Sequence, residues 1–196
     1  LMNKLKYLTI SLLFFCLIEI YTKESQSTNY YGDYKLHTYF KYLDDVGKSI
    51  MDRVDNSKKV IYIPKENTPF CKNNPGYAAY VDWPNKKGTD FVICTSRITR
   101  GNSYEYSYAL INDAVRHEAV HSAQFCRYIS YSDYVLYPLG TVDKKVLLNY
   151  KKYVPNEGIY AEIPYQQRLA EMEAYYYEDR PYSILSQLNK HCYWLI

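Results

Sequence analysis

Two histidines four positions apart on a predicted helix are the feature that most constrains this chain. His117 and His121 flank Glu118 in the stretch VRHEAVHSAQFC, inside a helix predicted from about residue 102 to residue 127. Positions i and i+4 lie one above the other on one helix face, so both imidazoles can point at one ion. Glu118 lies on an adjacent strip, where its carboxylate can reach a water on that ion without competing as a ligand. The pattern therefore predicts a metal site with a general base beside it.

Length, composition and charge limit the class of protein. The chain has 196 residues, of which 47% are hydrophobic, so it can bury the core of one globular domain. Its 24 basic and 21 acidic residues give a net charge of +3. Because the basic residues form no dense block, we expect no nucleic-acid partner.

The N-terminus has the pattern of a targeting segment. Lys4 and Lys6 precede the apolar run YLTISLLFFCLI at residues 7–18, which is short for a membrane span of about 20 residues. The cleavage signal is weak, so a secretory leader and an uncleaved membrane tether both remain open. The stretch that follows is polar and turn-rich, as linkers are. The predicted parts are a leader or anchor at residues 1–20, a linker at 21–33 and a globular domain at 34–196.

Four cysteines beyond that segment suggest two disulfides in an oxidising compartment. Sequence leaves three pairings open. Joining consecutive partners would link Cys71 to Cys94 and Cys126 to Cys192. None of the four has the CxxC spacing of a thiolate metal site or a redox pair. We therefore expect an exported protein, whether secreted, periplasmic or lumenal.

The remaining pattern predicts an α+β domain with a small, mostly antiparallel sheet. Apolar residues recur at spacings of three and four over residues 35–55, which predicts an amphipathic helix. Asn102 and Glu105 have the spacing of a capping box and mark the start of the helix that carries the histidines. Three short β-type segments lie between these helices: KVIYIP at 59–64, YAAYVDW at 77–83 and DFVICT at 90–95. Later helices are predicted in VDKKVLLNYKKY at 142–153, in QQRLAEMEAYYYED after Pro164, and in SILSQLNK at 183–190.

The motif His117-Glu118-Ala119-Val120-His121 matches HExxH, and the chain here resembles the zincin metalloproteases. A catalytic zinc usually has three protein ligands and a water, so the subgroup depends on the third ligand. Metzincins continue to a glycine and a third histidine, where this chain has Gln124 and Arg127. Aspzincins use an aspartate within GTxxD, whereas GTVD places Asp143 one residue too early. The resemblance is therefore to gluzincins, in which a glutamate from a later helix is the third ligand.

Two glutamates of AEMEAYYYE fit that role. Glu171 and Ala174 match the ExxA spacing of one gluzincin group, while Glu173 and Ala174 match the adjacent Glu-Ala pair of thermolysin relatives. Residues two apart on a helix point roughly 200° from each other, so only one of them can face the metal. The long gap after His121 favours Glu171, with Glu173 as the alternative.

The resemblance implies a zinc-dependent hydrolase of the peptidase class that acts on a peptide or protein substrate. One catalytic Zn²⁺ would be held by His117, His121 and Glu171, and would lower the pKa of a bound water to about 7. Glu118 would be the general base. The alternative is a non-catalytic, secreted binding module, in which zinc stabilises the fold and a fourth side chain closes the site.

The resemblance also implies where the substrate binds. DFVICT is expected to be the strand that borders the cleft, to which an extended peptide can pair. Residues 128–160 are expected to line or cover the cleft. The position four after Glu171, which in many relatives is an aspartate that steadies a zinc histidine, is Tyr175. Candidates for stabilising the oxyanion are Tyr160, Tyr165 and Tyr175.

Overall fold

Helices and a small sheet make up a mixed α+β fold in this computed structural model, which describes residues 33–74, 78–82, 89–128 and 136–193. The predicted leader and all but the last residue of the predicted linker lie outside the described residues. Within those ranges, no helix is long and apolar enough to cross a bilayer.

The elements are as follows. The α-helices are α1 (Asp45–Asp55), α2 (Pro69–Asn73), α3 (Thr95–Thr99), α4 (Tyr104–Tyr128), α5 (Lys144–Leu147), α6 (Tyr165–Glu178) and α7 (Pro181–Cys192). The strands are β1 (Tyr62–Glu66), β2 (Ala79–Val81) and β3 (Thr89–Ile93). Short 3-10 helices cover Tyr34–Leu36, Thr38–Tyr42, Leu148–Tyr153 and Gly158–Tyr160.

The sheet has β3 in the middle, between β1 and β2. β1 pairs with β3 in parallel, from Tyr62 opposite Thr89, and the shorter β2 pairs with β3 antiparallel, with Val81 opposite Phe91. The prediction of a mostly antiparallel sheet is therefore wrong for the described strands. The chain crosses over from β1 through α2 and β2 before it forms β3, and such a crossover is what parallel pairing requires.

The predicted helix at 35–55 is shorter in the structure, because α1 begins only after Asp44. The carboxylate of Asp44 accepts a hydrogen bond from the N–H of Gly47, as an N-cap does. The N–H of Asp44 in turn donates to Asn112 Oδ1 at 3.0 Å, so a side chain of α4 helps to fix where α1 starts. The upstream residues form two 3-10 helices, whose period of three still buries apolar side chains such as Tyr39.

α4 is the central helix and packs against α1, α6, α7 and the sheet. Its N-cap is Ser103, whose Oγ accepts a hydrogen bond from the N–H of Tyr106 at 3.2 Å. The predicted cap, Asn102, instead donates from Nδ2 to the carbonyl of Ile98 at 2.6 Å, behind the end of α3. The predicted N-cap is therefore wrong, because Ser103 rather than Asn102 caps the helix. The helix itself spans the expected stretch.

Two disulfides confirm the pairing of consecutive cysteines. Cys71 of α2 is bonded to Cys94, directly after β3, and Cys126 of α4 is bonded to Cys192 at the end of α7. The second bond ties the helix with the paired histidines to the last helix of the fold. Disulfides of this kind are typical of oxidising, extracellular-type environments.

The later helices are confirmed where sequence predicted them. α6 begins directly after Pro164, and α5 with the 3-10 helix that follows it occupies the segment at 142–153. α7 starts earlier than predicted, at Pro181, because a proline fits the first turn of a helix.

Gly47 is the position where α1 and α4 approach most tightly. A Cβ at Gly47 would lie 2.6 Å from Asn112 Oδ1, which already accepts from Asp44. We therefore expect Gly47→Ala to destabilise the fold by about 1–3 kcal/mol, although glycine to alanine inside a helix normally stabilises it by about 1 kcal/mol. Ser49→Ala, at an exposed position of the same helix, should stay within about 0.5 kcal/mol. Urea unfolding measures both, and a gain in stability for Gly47→Ala would contradict the close contact.

The two disulfides should differ in their contribution to stability. They close loops of different length, with sequence separations of 23 residues for Cys71–Cys94 and 66 for Cys126–Cys192. Since the entropy removed from the unfolded chain grows with loop length, replacing the cysteines by alanine in pairs should cost about 3 kcal/mol for the first bond and about 4 kcal/mol for the second. Guanidinium unfolding of the two paired variants tests this order, and a larger loss for the shorter loop would reverse it.

Candidate metal centre

The two histidines of α4 and a glutamate of α6 converge on one point. Glu171 Oε2 lies 3.3 Å from His117 Nε2 and 3.5 Å from His121 Nε2. One ligand atom from each of the three residues lies within 4.8 Å of the others. Because α4 and α6 pack side by side, the predicted i, i+4 pair and the predicted carboxylate share one cluster. We call these three residues the triad.

Glu173, the alternative third ligand, lies elsewhere. Its carboxylate is fully buried and accepts hydrogen bonds from Gln124 Nε2, at 2.9 Å, and from the backbone N–H of Leu139. The structure therefore brings Glu171 rather than Glu173 to the imidazoles, as two positions roughly 200° apart on one helix require.

Both imidazoles are held from behind through Nδ1. His117 Nδ1 lies 2.6 Å from Glu178 Oε1, and His121 Nδ1 lies 2.8 Å from Gln124 Oε1. Because Nδ1 of each ring is bonded, Nε2 is the nitrogen that faces Glu171. Metal-binding histidines commonly have this arrangement, with the second ring nitrogen bonded to an outer partner. Neither partner was predicted from the sequence, although Glu178 comes two helical turns after Glu171 and thus shares its face.

Tyr175 contacts His117 with its ring rather than with its hydroxyl. The two ring centroids are 4.6 Å apart and the planes meet at 70°. The Tyr175 hydroxyl lies 3.4 Å from that of Tyr160. Tyr175 thus makes an aromatic contact with His117, and a carboxylate one turn further along, Glu178, bonds to the histidine.

Glu118 lies between α4 and β2, and only 7% of it is exposed. Burial raises the pKa of its carboxyl, while the positive charge of the two imidazoles and the backbone N–H of Val81 oppose that rise. A carboxylate with a raised pKa holds a proton more readily, as a general base near neutral pH must.

The charged groups of the triad shift one another's pKa values. Burial disfavours the charged form of His117, but hydrogen bonds with Glu171 and Glu178 outweigh burial and raise its pKa well above the usual value. Burial likewise opposes the charge of Glu171, yet His121 and His117 hold the pKa of that carboxyl well below its usual range. The cluster therefore favours a negative carboxylate facing positive charge, and a cation that binds there must displace protons from the imidazoles.

A cleft of about 460 Å³ opens over the triad. Its rim includes Ala79 and Val81 of β2, so the strand that borders the cleft is β2. The prediction that DFVICT borders the cleft is wrong, because that segment forms β3, the buried central strand. A run of consecutive apolar residues such as Phe91–Ile93 suits a strand that is covered on both faces.

The segment at 128–160 contributes to the cleft through Leu136 and Tyr160, among the residues that the structure describes. Residues 129–135 of this segment lie outside them. Of the three tyrosines predicted near the reacting carbonyl, Tyr160 and Tyr175 line the cleft. Tyr165 is not among the described residues that line the cleft. It is 42% exposed, and its ring centroid lies 4.8 Å from the ammonium group of Lys144.

The difference between a ligand and its outer partner can be measured with zinc. Glu171→Ala removes a ligand atom, so we expect the dissociation constant for zinc to rise roughly a hundredfold or more. Glu178→Gln only weakens the hold on His117 Nδ1 and should raise it about tenfold. Glu162→Gln, at an exposed position, should leave it unchanged. Competition with a chromophoric chelator gives all three constants, and equal losses for the first two variants would contradict these roles.

Comparison with known proteins places the chain in a family. No curated protein and no solved structure matches it significantly. A family model described as a domain of unknown function, DUF8637, matches residues 39–193, which is most of the chain and includes the whole triad. The chain therefore belongs to the DUF8637 family.

Proposed function

We propose that this protein is a zinc-dependent hydrolase of the peptidase class, with a gluzincin-like site. The observation that carries the proposal is the triad at the base of an open cleft, with the Glu118 carboxylate lining the same cleft between the two histidines in sequence. Three protein ligands at the base of a cleft, with room for a fourth, are typical of catalytic rather than structural zinc.

The donor set and its spacing fit zinc. Two imidazole nitrogens and one carboxylate oxygen are ligands that zinc accepts at about 2.0–2.2 Å. Ligands at that distance in a tetrahedron lie about 3.3 Å from one another, and the Glu171 oxygen lies 3.3 Å and 3.5 Å from the two Nε2 atoms. The two Nδ1 atoms are engaged by Glu178 and Gln124, so Nε2 is the atom that each ring presents.

The chemistry is divided between the ion and the protein. When bound, zinc would polarise the scissile carbonyl and make water a better nucleophile. Glu118 takes the proton of the attacking water and passes it to the leaving amine. The hydroxyls of Tyr160 and Tyr175, which line the cleft, are the candidates for stabilising the oxyanion.

The edge of β2 supports an extended peptide as the substrate. The N–H of Asp82 and the carbonyl of Ala78 bond to β3, so in the alternating antiparallel pattern Ala79 and Val81 turn their backbone groups the other way. These two residues also line the cleft. The N–H of Val81 faces the Glu118 carboxylate. A substrate strand would therefore pair through the carbonyl of Val81 and the backbone groups of Ala79, at the side of the cleft that opens over the triad.

Export is part of the proposal. The N-terminal pattern resembles a secretory leader, and two disulfides suit an oxidising compartment. Residues 7–20 would be removed with the leader or would tether the protein to a membrane.

Glu118→Gln tests the general base. The variant keeps the triad, so it should bind zinc as the parent does, while turnover of a casein-like substrate falls about a hundredfold or more. Chelation of the parent protein should abolish cleavage, and added zinc should restore it. Glu162→Gln serves as the control with unchanged turnover.

Two results would count against this proposal. Undiminished cleavage by Glu118→Gln would show that Glu118 is not the base. Stoichiometric zinc without chelator-sensitive cleavage by the parent would favour the zinc-stabilised binding module instead.

A further inference from the structure

A buried row of polar side chains leads from His121 into the body of the protein. His121 Nδ1 lies 2.8 Å from Gln124 Oε1, and Gln124 Nε2 lies 2.9 Å from Glu173 Oε2. Gln124 and Glu173 are both 0% exposed. Buried polar groups this far from water are costly unless each is bonded, so the row keeps its geometry only if its members fit one another.

The direction of the Gln124 amide follows from its neighbours. Two acceptors, Glu173 Oε2 at 2.9 Å and the carbonyl of Ala170 at 3.2 Å, lie around its nitrogen. Because neither can donate from those atoms, the NH₂ group must face them and the amide oxygen must face His121. His121 must then donate from Nδ1, which leaves Nε2 as the atom directed to the triad.

Glu173 is itself fixed by the backbone. The N–H of Leu139 donates to Oε2. Burial raises the pKa of the Glu173 carboxyl, and Gln124 and the backbone N–H groups of Leu139, Gly140 and Thr141 oppose that rise. Gly140 has a φ of 67°, in the left-handed region that favours glycine, so this turn of the loop is fixed. The carboxylate thus has little freedom to move away from Gln124.

We propose that Glu173 is a positioning residue that sets the tautomer and orientation of His121 through Gln124, without touching the metal. The Glu173 side chain, the sequence-level competitor of Glu171 for the metal, thus supports the site from behind. The inference rests on the proposed function in so far as zinc is the ion that His121 would hold.

This support differs from the one behind His117. Glu178 contacts His117 directly and is about one-fifth exposed. The row behind His121 consists of two residues, Gln124 and Glu173, and both are fully buried. A defect at Glu173 should therefore reach the metal only by way of Gln124. That dependence separates a positioning role from a general loss of packing.

A double-mutant cycle with zinc affinity as the readout measures whether Glu173 acts on His121 only through Gln124. Gln124→Met keeps the shape of the side chain but leaves His121 Nδ1 without its acceptor, and should weaken zinc binding about tenfold. Glu173→Leu leaves the Gln124 amide held only by the carbonyl of Ala170, so its orientation is less strictly fixed, and zinc binding should weaken by a similar factor. In the double variant Glu173 has no route to His121, so the combined loss should stay near tenfold rather than reach a hundredfold.

The controls are the same replacements on the surface of the same region. Gln166→Met and Glu162→Leu lie at exposed positions and should leave zinc affinity within twofold of the parent. If Glu173→Leu fails to fold, Glu173→Met takes its place in the cycle, because it keeps the length of the side chain and has no oxygen to accept from Gln124. Losses that multiply in the double variant, or a single variant of Glu173 with unchanged affinity, would overturn the proposal.

A second measurement needs no zinc. Nitrogen NMR of the metal-free parent at alkaline pH should show neutral His121 with its proton on Nδ1, and the Gln124→Met spectrum should show that preference lost. A parent His121 protonated on Nε2 would overturn the positioning role, whatever the metal result. A parent that binds no zinc but shows the Nδ1 proton would refute the proposed function and leave the positioning of His121 supported.

Discussion

Packing of α4 against α6 brings two imidazoles and a carboxylate together out of water, and the rest of the site depends on that contact. Each of these groups alone would be costly to bury in charged form, but together they neutralise one another. The attraction lowers the pKa of Glu171 and raises that of His117, so it stabilises the packing of the two helices. It also keeps the Glu171 carboxylate negative at the point where a cation would bind. The same contact thus serves the fold and the chemistry.

Three glutamates of one helix have three different environments. Glu171 and Glu178 are two turns apart and share the face of α6 that meets the histidines, one at Nε2 and one at Nδ1 of His117. Glu173 lies on the opposite side and bonds to the loop at Leu139 and to Gln124. Helical geometry alone separates residues that composition makes identical, and this explains why the short segment AEMEAYYYE could suggest two ligands.

Local patterns in the sequence predicted what depends on local geometry. The i, i+4 histidines and the extents of α4 and α6 follow from helical periodicity. Periodicity also requires that only one of Glu171 and Glu173 face the imidazoles, whereas the preference for Glu171 came from its long gap after His121. The pairing of the cysteines was confirmed from among three possibilities. Strand order was not predictable in the same way, because the position of β3 in the middle of the sheet depends on a crossover. Gln124 and Glu178 were missed since their roles arise only when α4 and α6 are packed, and Ser103 rather than Asn102 caps α4 because Asn102 is engaged with α3.

The bond between Cys126 and Cys192 joins α4, five residues beyond His121, to α7. It can form only after Cys192 has been synthesised and where thiols can be oxidised. A newly made chain in a reducing compartment therefore lacks the crosslink that holds the histidine helix in the finished protein. Formation of this crosslink, and the stability that it adds, therefore depends on the redox state of the compartment that holds the chain.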